Sequence, residues 1–321
     1  MDLFTRGNPL NPYIIPFPDG WGLKGITWYA MSYLVGALLA LALSSYRAYK
    51  DGYPKDFFIN LFFFAFPMGI IGGRMWYVIA SWQEFAAEPW RMFFIWEGGM
   101  AIQGGALLGI ISGIGFVKVR RKGTNLLQAA DWAVPTVLVA QMIGRWGNFV
   151  NAEVFGNVVD ISAYGGLPGF VINQMGYNGT SALANESQMY VPLFLIEGLI
   201  NIGGYFLLTH FFEDVLGKWH EHGDGLFGYF IWYGLTRIVL ENIRFGAFNM
   251  HQSAGQSVSS AYVMAWVFFG VGLVLLMGNQ VCCKLYRKGK LHLPDGFVHF
   301  FVNGADGDPL NRKLAYGDSN K

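Results

Sequence analysis

Residues 144–156 read GRWGNFVNAEVFG and place Arg145, Asn148, Asn151 and Glu153 within nine positions, directly after an apolar run long enough to enter a membrane. A lone charge at the bilayer centre costs at least ~2.5–3.5 kcal/mol, so such groups face a cavity or a partner. Three more arginines, Arg74, Arg237 and Arg244, lie in or at the edge of apolar runs, and none of these four basic residues is a lysine. An arginine fork stays charged and grips phosphate or carboxylate through two bonds. Several of them converging on one cavity would suit a phosphate. In YGLTRIVLENIR, Tyr233, Arg237, Glu241 and Arg244 follow at steps of four, four and three, which is one helical face. Arg145 and Asn148 share a face if their helix continues, and Gly144 and Gly147 would let a backbone or a lipid come close. The competing interpretation makes Arg237–Glu241 a structural ion pair and lets Arg145 snorkel to the interface. Taken together, the four arginines favour an anion-binding cavity opening toward the outer leaflet.

Such a cavity needs membrane helices around it, and composition supplies them. Of 321 residues, 53% are apolar and only 13% charged, against roughly 25% charged in soluble domains. The apolar residues cluster into seven runs near 20 residues, about 27–46, 57–81, 99–117, 126–145, 191–211, 225–245 and 259–281, the length that crosses ~30 Å of hydrocarbon. Arg47, Lys50 and Lys55 follow run 1; Lys118, Arg120, Arg121 and Lys122 follow run 3; Lys218 follows run 5, and the tail after run 7 is basic. The alternate segments hold Arg6, Lys24 and Arg91, while 157–190 and 247–258 hold no Lys or Arg. The positive-inside rule therefore predicts an outside N-terminus and a cytoplasmic C-terminus. The expected fold is an all-α polytopic membrane protein of about seven transmembrane helices. Segment 157–190, rich in Gly, Asn and Ser, would form a small external loop subdomain. Pro9, Pro12, Pro16 and Pro18 make the first 20 residues a proline-broken surface segment rather than a signal peptide. A net charge of +1 without a basic stripe argues against a nucleic-acid partner. The adjacent Cys282 and Cys283 suit two small residues at a membrane boundary, and no Cys/His cluster suggests a metal.

A second unusual stretch is WEGGMAIQGG, where two Gly-Gly pairs bracket Met100 to Gln103. It suits a helix-packing seam, except that Glu97 and Gln103 are polar groups a seam would not need. With these residues in view, GRWGNFVNAEVFG resembles the signature of the prolipoprotein diacylglyceryl transferase family, with Gly-Arg, Asn-Phe, Asn, Glu and a closing Gly at this spacing. ITWYAMSYLVG (26–36) resembles the family's first-span tyrosine motif, GGRMWYV (72–78) its second-span arginine motif and ADWAVP (130–135) its aspartate motif. WEGGMAIQGG and YGLTRIVLENIR are similar to its Gly-Gly and late arginine–glutamate segments.

The resemblance implies a bacterial inner-membrane enzyme that moves the diacylglyceryl group of phosphatidylglycerol onto the lipobox cysteine of a preprolipoprotein. A thioether forms and glycerol phosphate leaves, with no cofactor. Residues 1–283 would be the membrane-embedded catalytic domain and 284–321 a polar cytoplasmic tail. Carried over position by position, Arg145 and Arg237 grip the lipid phosphate, with Arg244 beside them. Asn148 and Asn151 add neutral hydrogen bonds, Glu153 and Glu241 orient the arginines, Gly156 permits close backbone approach, and Tyr29 lines the cavity. Asp131 and Arg74 read as structural or supporting. Two departures stand out. Gln103 occupies a position often held by a histidine in the family, and glutamine cannot take a proton, which leaves the base open among Glu153, Glu241 and water relayed through the arginines. VPLFLIE (191–197) keeps Pro192 and Glu197 of a family His-Pro-x-x-Leu-Tyr-Glu segment but not its His and Tyr. The competing classes are an anion- or lipid-binding transporter and an inactive family member.

Overall fold

The computed structural model describes residues 6–18, 24–95, 98–120, 124–215, 220–241, 243–244 and 260–292. Glu97, loop 247–258 and most of the polar tail lie outside the described residues. Each of the seven apolar runs is helical: α1 (Trp28–Lys50), α2 (Phe57–Ala80), α4 (Ile102–Arg120), α5 (Leu126–Ala133) with α6 (Thr136–Val150), α8 (Leu193–Phe206), α9 (Asp224–Glu241) and α10 (Ser260–Arg287). A single helical turn, α3 (Trp82–Phe85), follows α2. Five segments are long and apolar enough to cross a membrane: Trp28–Lys50, Phe57–Ala80, Leu126–Val150, Leu193–Phe212 and Tyr262–Tyr286. Helix Gln103–Val119 is apolar but shorter. Phe63, Ile79 and Val274 each leave 71–72% of their surface uncovered by protein, which in water would be an aggregation liability and in lipid is solvation.

Run 4 differs from a single continuous helix. It breaks at 134–135, because the Pro135 ring disfavours helical geometry in the residue before it and has no N–H to donate. Run 5 continues past α8 as a π-helix, Leu207–Val215, where the Thr209 hydroxyl donates to the Tyr205 carbonyl at 2.7 Å.

The chain divides into two compact units. In the unit of residues 41–132, α2 packs on α4 through glycines: a Cβ on Gly105 would lie 3.1 Å from the Gly69 carbonyl oxygen, and one on Gly73 3.3 Å from that of Ala101. The second Gly pair of WEGGMAIQGG is thus a packing seam. The first pair, Gly98 and Gly99, takes φ of 85° and 75°, the left-handed region that glycine enters without penalty. Arg74 organises that turn. Its guanidinium donates to the carbonyls of Arg91, Met92, Phe94, Gly98 and Gly99, which is the structural role expected of it. Arg47 donates to the Asp131 (2.6 Å) and Trp132 (3.1 Å) carbonyls at the end of α5, where unpaired carbonyls collect.

In the unit of residues 1–40 and 133–291, α6 packs on α8 and α9 on α10. Residues 157–190 form two small antiparallel pairs, β3 (Val158–Asp160) with β6 (Gln188–Tyr190) and β4 (Tyr177–Asn178) with β5 (Ser181–Ala182), plus the short α7 (Gly169–Gln174). Val171, Ile172, Met175 and Met189 bury against Phe149 and Phe194 and seat this segment on the ends of α6 and α8. The N-terminal segment is more ordered than its prolines suggest. β1 (Tyr13–Pro16) pairs with β2 (Gly25–Thr27), and Arg6 donates to the carbonyls of Leu183 (2.7 Å) and Gln188 (2.6 Å).

Candidate active site

The last turns of α6 carry the signature, and the helix does continue through Asn148 to Val150. Gly147 is required by packing: a Cβ there would lie 2.5 Å from Ser32 Oγ and 3.0 Å from Tyr29 Cα on α1. The close approach therefore brings Tyr29 to the signature helix. Its hydroxyl shares a hydrogen bond with Tyr33 at 3.1 Å, within electrostatic reach of Arg145 and Glu153.

Arg145 engages Glu197 Oε2 of α8 through Nε and donates from Nη1 to Asn148 Oδ1 at 3.3 Å. The Asn148 amide in turn donates to Glu153 Oε1 at 2.9 Å. Glu153 can reach back because the chain folds sharply after α6. Its N–H donates to the Asn148 carbonyl at 3.0 Å, and its neighbours Ala152 and Val154 sit at φ of 50° and 56°. Left-handed backbone costs an L-residue roughly 1–2 kcal/mol, and a β-branched valine there is a true outlier. Strain of this kind persists where the surroundings over-determine it, as they do around functional groups.

The end of the signature is then tied down from two sides. The Gly156 N–H donates to the Val191 carbonyl, the Val191 N–H to Asn157, and the Asn157 N–H to Ile243, all at 3.0 Å. Gly156 forms an isolated bridge with Arg244. A Cβ on Gly156 would lie 2.7 Å from Val191 Cβ and 2.9 Å from the Ile243 carbonyl oxygen, so the close approach inferred from the sequence is to protein backbone.

This bridge corrects one expectation. Arg244 does not extend the helical face of Tyr233, Arg237 and Glu241, because α9 ends at Glu241 and the following backbone bonds to residues 156–157. Arg244 Nη1 still lies 3.8 Å from Glu241 Oε2. The competing interpretation sets Arg237 against Glu241; the structure brings Arg237 Nη1 to 4.0 Å from Glu197 Oε1, with its guanidinium 5.8 Å from the Tyr233 ring centre. Asn151 is present in the same fold-back, with Oδ1 buried and unpartnered among the described residues. Gln103 belongs to the other unit and is exposed on the first turn of α4.

Glu197 is the residue that sequence reasoning underrated. It is 5% exposed, and its two oxygens address both Arg145 and Arg237. Its signal was available: one carboxylate inside LFLIEGLINIGGYF, an otherwise uncharged apolar helix, is costly unless paired. With it, the cluster balances Arg145, Arg237 and Arg244 against Glu153, Glu197 and Glu241. No group of three or more His, Cys, Asp or Glu side chains suited to a metal occurs among the described residues.

The fold and the cluster together define a helical membrane protein with a buried arginine–carboxylate site at the end of a signature helix. The profile of the family described as prolipoprotein diacylglyceryl transferase matches residues 21–277. A Halalkalibacterium halodurans protein named phosphatidylglycerol–prolipoprotein diacylglyceryl transferase is 34% identical over 83% of this chain and 83% of its own. Proteins of the same name from Bacillus velezensis (37% identity, 74% of this chain, 82% of theirs) and Bacillus cereus (38%, 71% and 78%) are also similar. This chain belongs to the prolipoprotein diacylglyceryl transferase family.

Proposed function

We propose that this protein transfers the diacylglyceryl group of phosphatidylglycerol to the lipobox cysteine of preprolipoproteins, forming a thioether and releasing glycerol phosphate. The observation that carries the reading is the Arg145–Glu197–Arg237 array, set beside the Asn148–Glu153 pair at the end of the signature helix. The leaving group is a phosphate, and preorganised arginines in a water-poor site stabilise the charge it acquires. Arg145 engages Glu197 through Nε and Asn148 through Nη1, so both partners orient its guanidinium. Asn148 fixes the tilt of that guanidinium, and Glu153 fixes Asn148. Arg237 faces the same carboxylate from α9 and closes the opposite side. Arg244, bridged to Gly156, stands beside Glu241 and adds a third cation to the cluster. Tyr29 and Asn151 complete the substrate-binding set.

An apolar groove of about 590 Å³ lies among α1, α6 and residues 10–14, with Trp28, Val35, Ile143 and Trp146 on its walls. Its apolar lining suits the acyl chains of a lipid. Seven membrane crossings, with residues 157–190 as an external subdomain, an outside N-terminus, and 284–321 as a cytoplasmic tail, fit the alternation of basic loops. The inner membrane of a bacterium is where both substrates occur. The test is direct: purified protein, phosphatidylglycerol and a lipobox peptide, with mass spectrometry of the peptide. A diacylglyceryl adduct that vanishes when cysteine becomes serine supports the enzyme. Phosphatidylglycerol binding that depends on Arg145, without any adduct, would instead favour a lipid-binding or inactive family member, the alternative that Gln103 motivates.

A further inference from the structure

The site is electrically full before any lipid arrives. Arg145 and Arg237, the two cations suited to a phosphate, already share one carboxylate: Glu197 Oε2 meets Arg145 Nε, and Oε1 lies 4.0 Å from Arg237 Nη1. Its side chain is 7% exposed and sits on an otherwise uncharged apolar helix. The other two carboxylates differ. Glu153 is held by the Asn148 amide, and Glu241 lies by Arg244. Neither bridges both arginines. A phosphate that docks on both Arg145 and Arg237 therefore competes with Glu197, the carboxylate that lies against both. A buried carboxylate whose counter-charges are drawn away is left uncompensated, and taking up a proton relieves it. The second substrate brings one, on its thiol.

Resting on the transferase reading above, we infer that Glu197 is the general base, and that lipid binding is what arms it. The balance closes without another reactant. The lipid phosphate takes over the arginine donors, and Glu197 accepts the thiol proton. The sulfur electron pair forms the S–C bond at the glycerol carbon that carries the phosphoester. The C–O bond breaks, and its electron pair departs on the phosphate oxygen held by Arg145 and Arg237. The proton on Glu197 leaves with glycerol phosphate, and the carboxylate returns to the arginines. Order of binding follows: the thiol cannot be deprotonated until the lipid is seated. Gln103 is then free of any duty as a base.

The test uses Glu197→Gln in the full chain, with two peptides identical except for cysteine or selenocysteine at the acceptor position. A selenol is ionised at neutral pH and needs no base. Wild-type transfer to the cysteine peptide establishes the transferase reading by itself, and its absence would remove that reading rather than this one. Given wild-type transfer, Glu197→Gln is expected to bind phosphatidylglycerol at least as tightly as wild type, since a competing anion is gone. Transfer to cysteine falls by about 10²–10⁴-fold, the worth of a positioned base, and transfer to selenocysteine returns to within about tenfold of wild type. Loss of lipid binding, equal loss with both peptides, or cysteine transfer within about tenfold of wild type would each overturn the inference. If the glutamine variant does not fold, Glu197→Asp carries the same test, with the same contrast between peptides expected in milder form.

Discussion

Removing the Arg145 guanidinium should cost stability in a way that removing its partner as well repairs. The substitution is Arg145→Met, which keeps most of the aliphatic stem. In the folded protein the Arg145 and Glu197 side chains are 18% and 7% exposed, so the pair is largely desolvated. Breaking a buried pair by deleting one partner costs ~3–5 kcal/mol, mostly through the charge left behind. Arg237, 4.0 Å from the other Glu197 oxygen, keeps part of the compensation. The lower end, about 3 kcal/mol, is therefore expected for the single variant. Adding Glu197→Gln removes the stranded charge, and the double variant should recover about 2 kcal/mol of that loss. Unfolding in mixed micelles titrated with a denaturing detergent reads both numbers, and the Glu197→Gln single variant closes the cycle that gives the coupling energy. Transfer should remain lost in both variants, because the phosphate grip is gone whether or not the fold is repaired. A single-variant cost below about 1 kcal/mol, or a double variant no more stable than the single, would refute a buried pair at this site.

Three shorter predictions accompany this one. Gln103→Ala should retain transfer within about tenfold of wild type, since the side chain is exposed and lacks a proton-accepting group; a loss of the 10²-fold order expected for a catalytic proton-transfer group would restore this position to the chemistry. Arg74→Lys should fail to hold the carbonyls of residues 91, 92, 94, 98 and 99, because three N–H donors on a point charge cannot serve five carbonyls gripped by a planar fork; limited proteolysis should cut near residues 91–94 faster than in wild type, and an unchanged pattern would sink the assignment. Gly156→Ala should lower stability by roughly 1–3 kcal/mol, because the new Cβ would lie 2.7 Å from Val191 Cβ and 2.9 Å from the Ile243 carbonyl oxygen, and a melting temperature equal to wild type would mean the bridge has room.

The helices were legible because hydrocarbon allows few other solutions: a run of 20 apolar residues must satisfy its backbone internally. The signature was legible for a related reason, since Arg145, Asn148 and Glu153 are conspicuous where polar groups are expensive. Breaks were harder to read. Pro135 divides run 4, although hydropathy passes through it without change. The end of α9 at Glu241 depends on hydrogen bonds from residues 156–157, more than 80 positions earlier in the chain, and no local pattern contains them. The left-handed backbone at Ala152 and Val154 was equally hidden, because neither residue favours it and the fold imposes it.

The least legible feature was the charge of the site itself. Counting arginines in apolar runs suggested an electropositive cavity waiting for an anion. The carboxylates are visible too, but helical spacing sets Glu241 near Arg237, and Glu197 stands out in one dimension only as a retained position of a motif. In three dimensions each arginine of the cluster has a carboxylate beside it or one residue away through Asn148, and the sum is neutral. Neutrality changes what binding means. A phosphate does not fall into a vacant positive hole; it must exchange places with a carboxylate that is already there, so affinity is the difference between two similar interactions. A site of this kind gives up ground-state affinity for the lipid and keeps its arginine donors for the charge that appears as the phosphoester bond breaks. Only interactions stronger in the transition state than in the ground state accelerate a reaction. On the proposed function, the internal carboxylates belong to the catalytic design as much as the arginines that draw attention first.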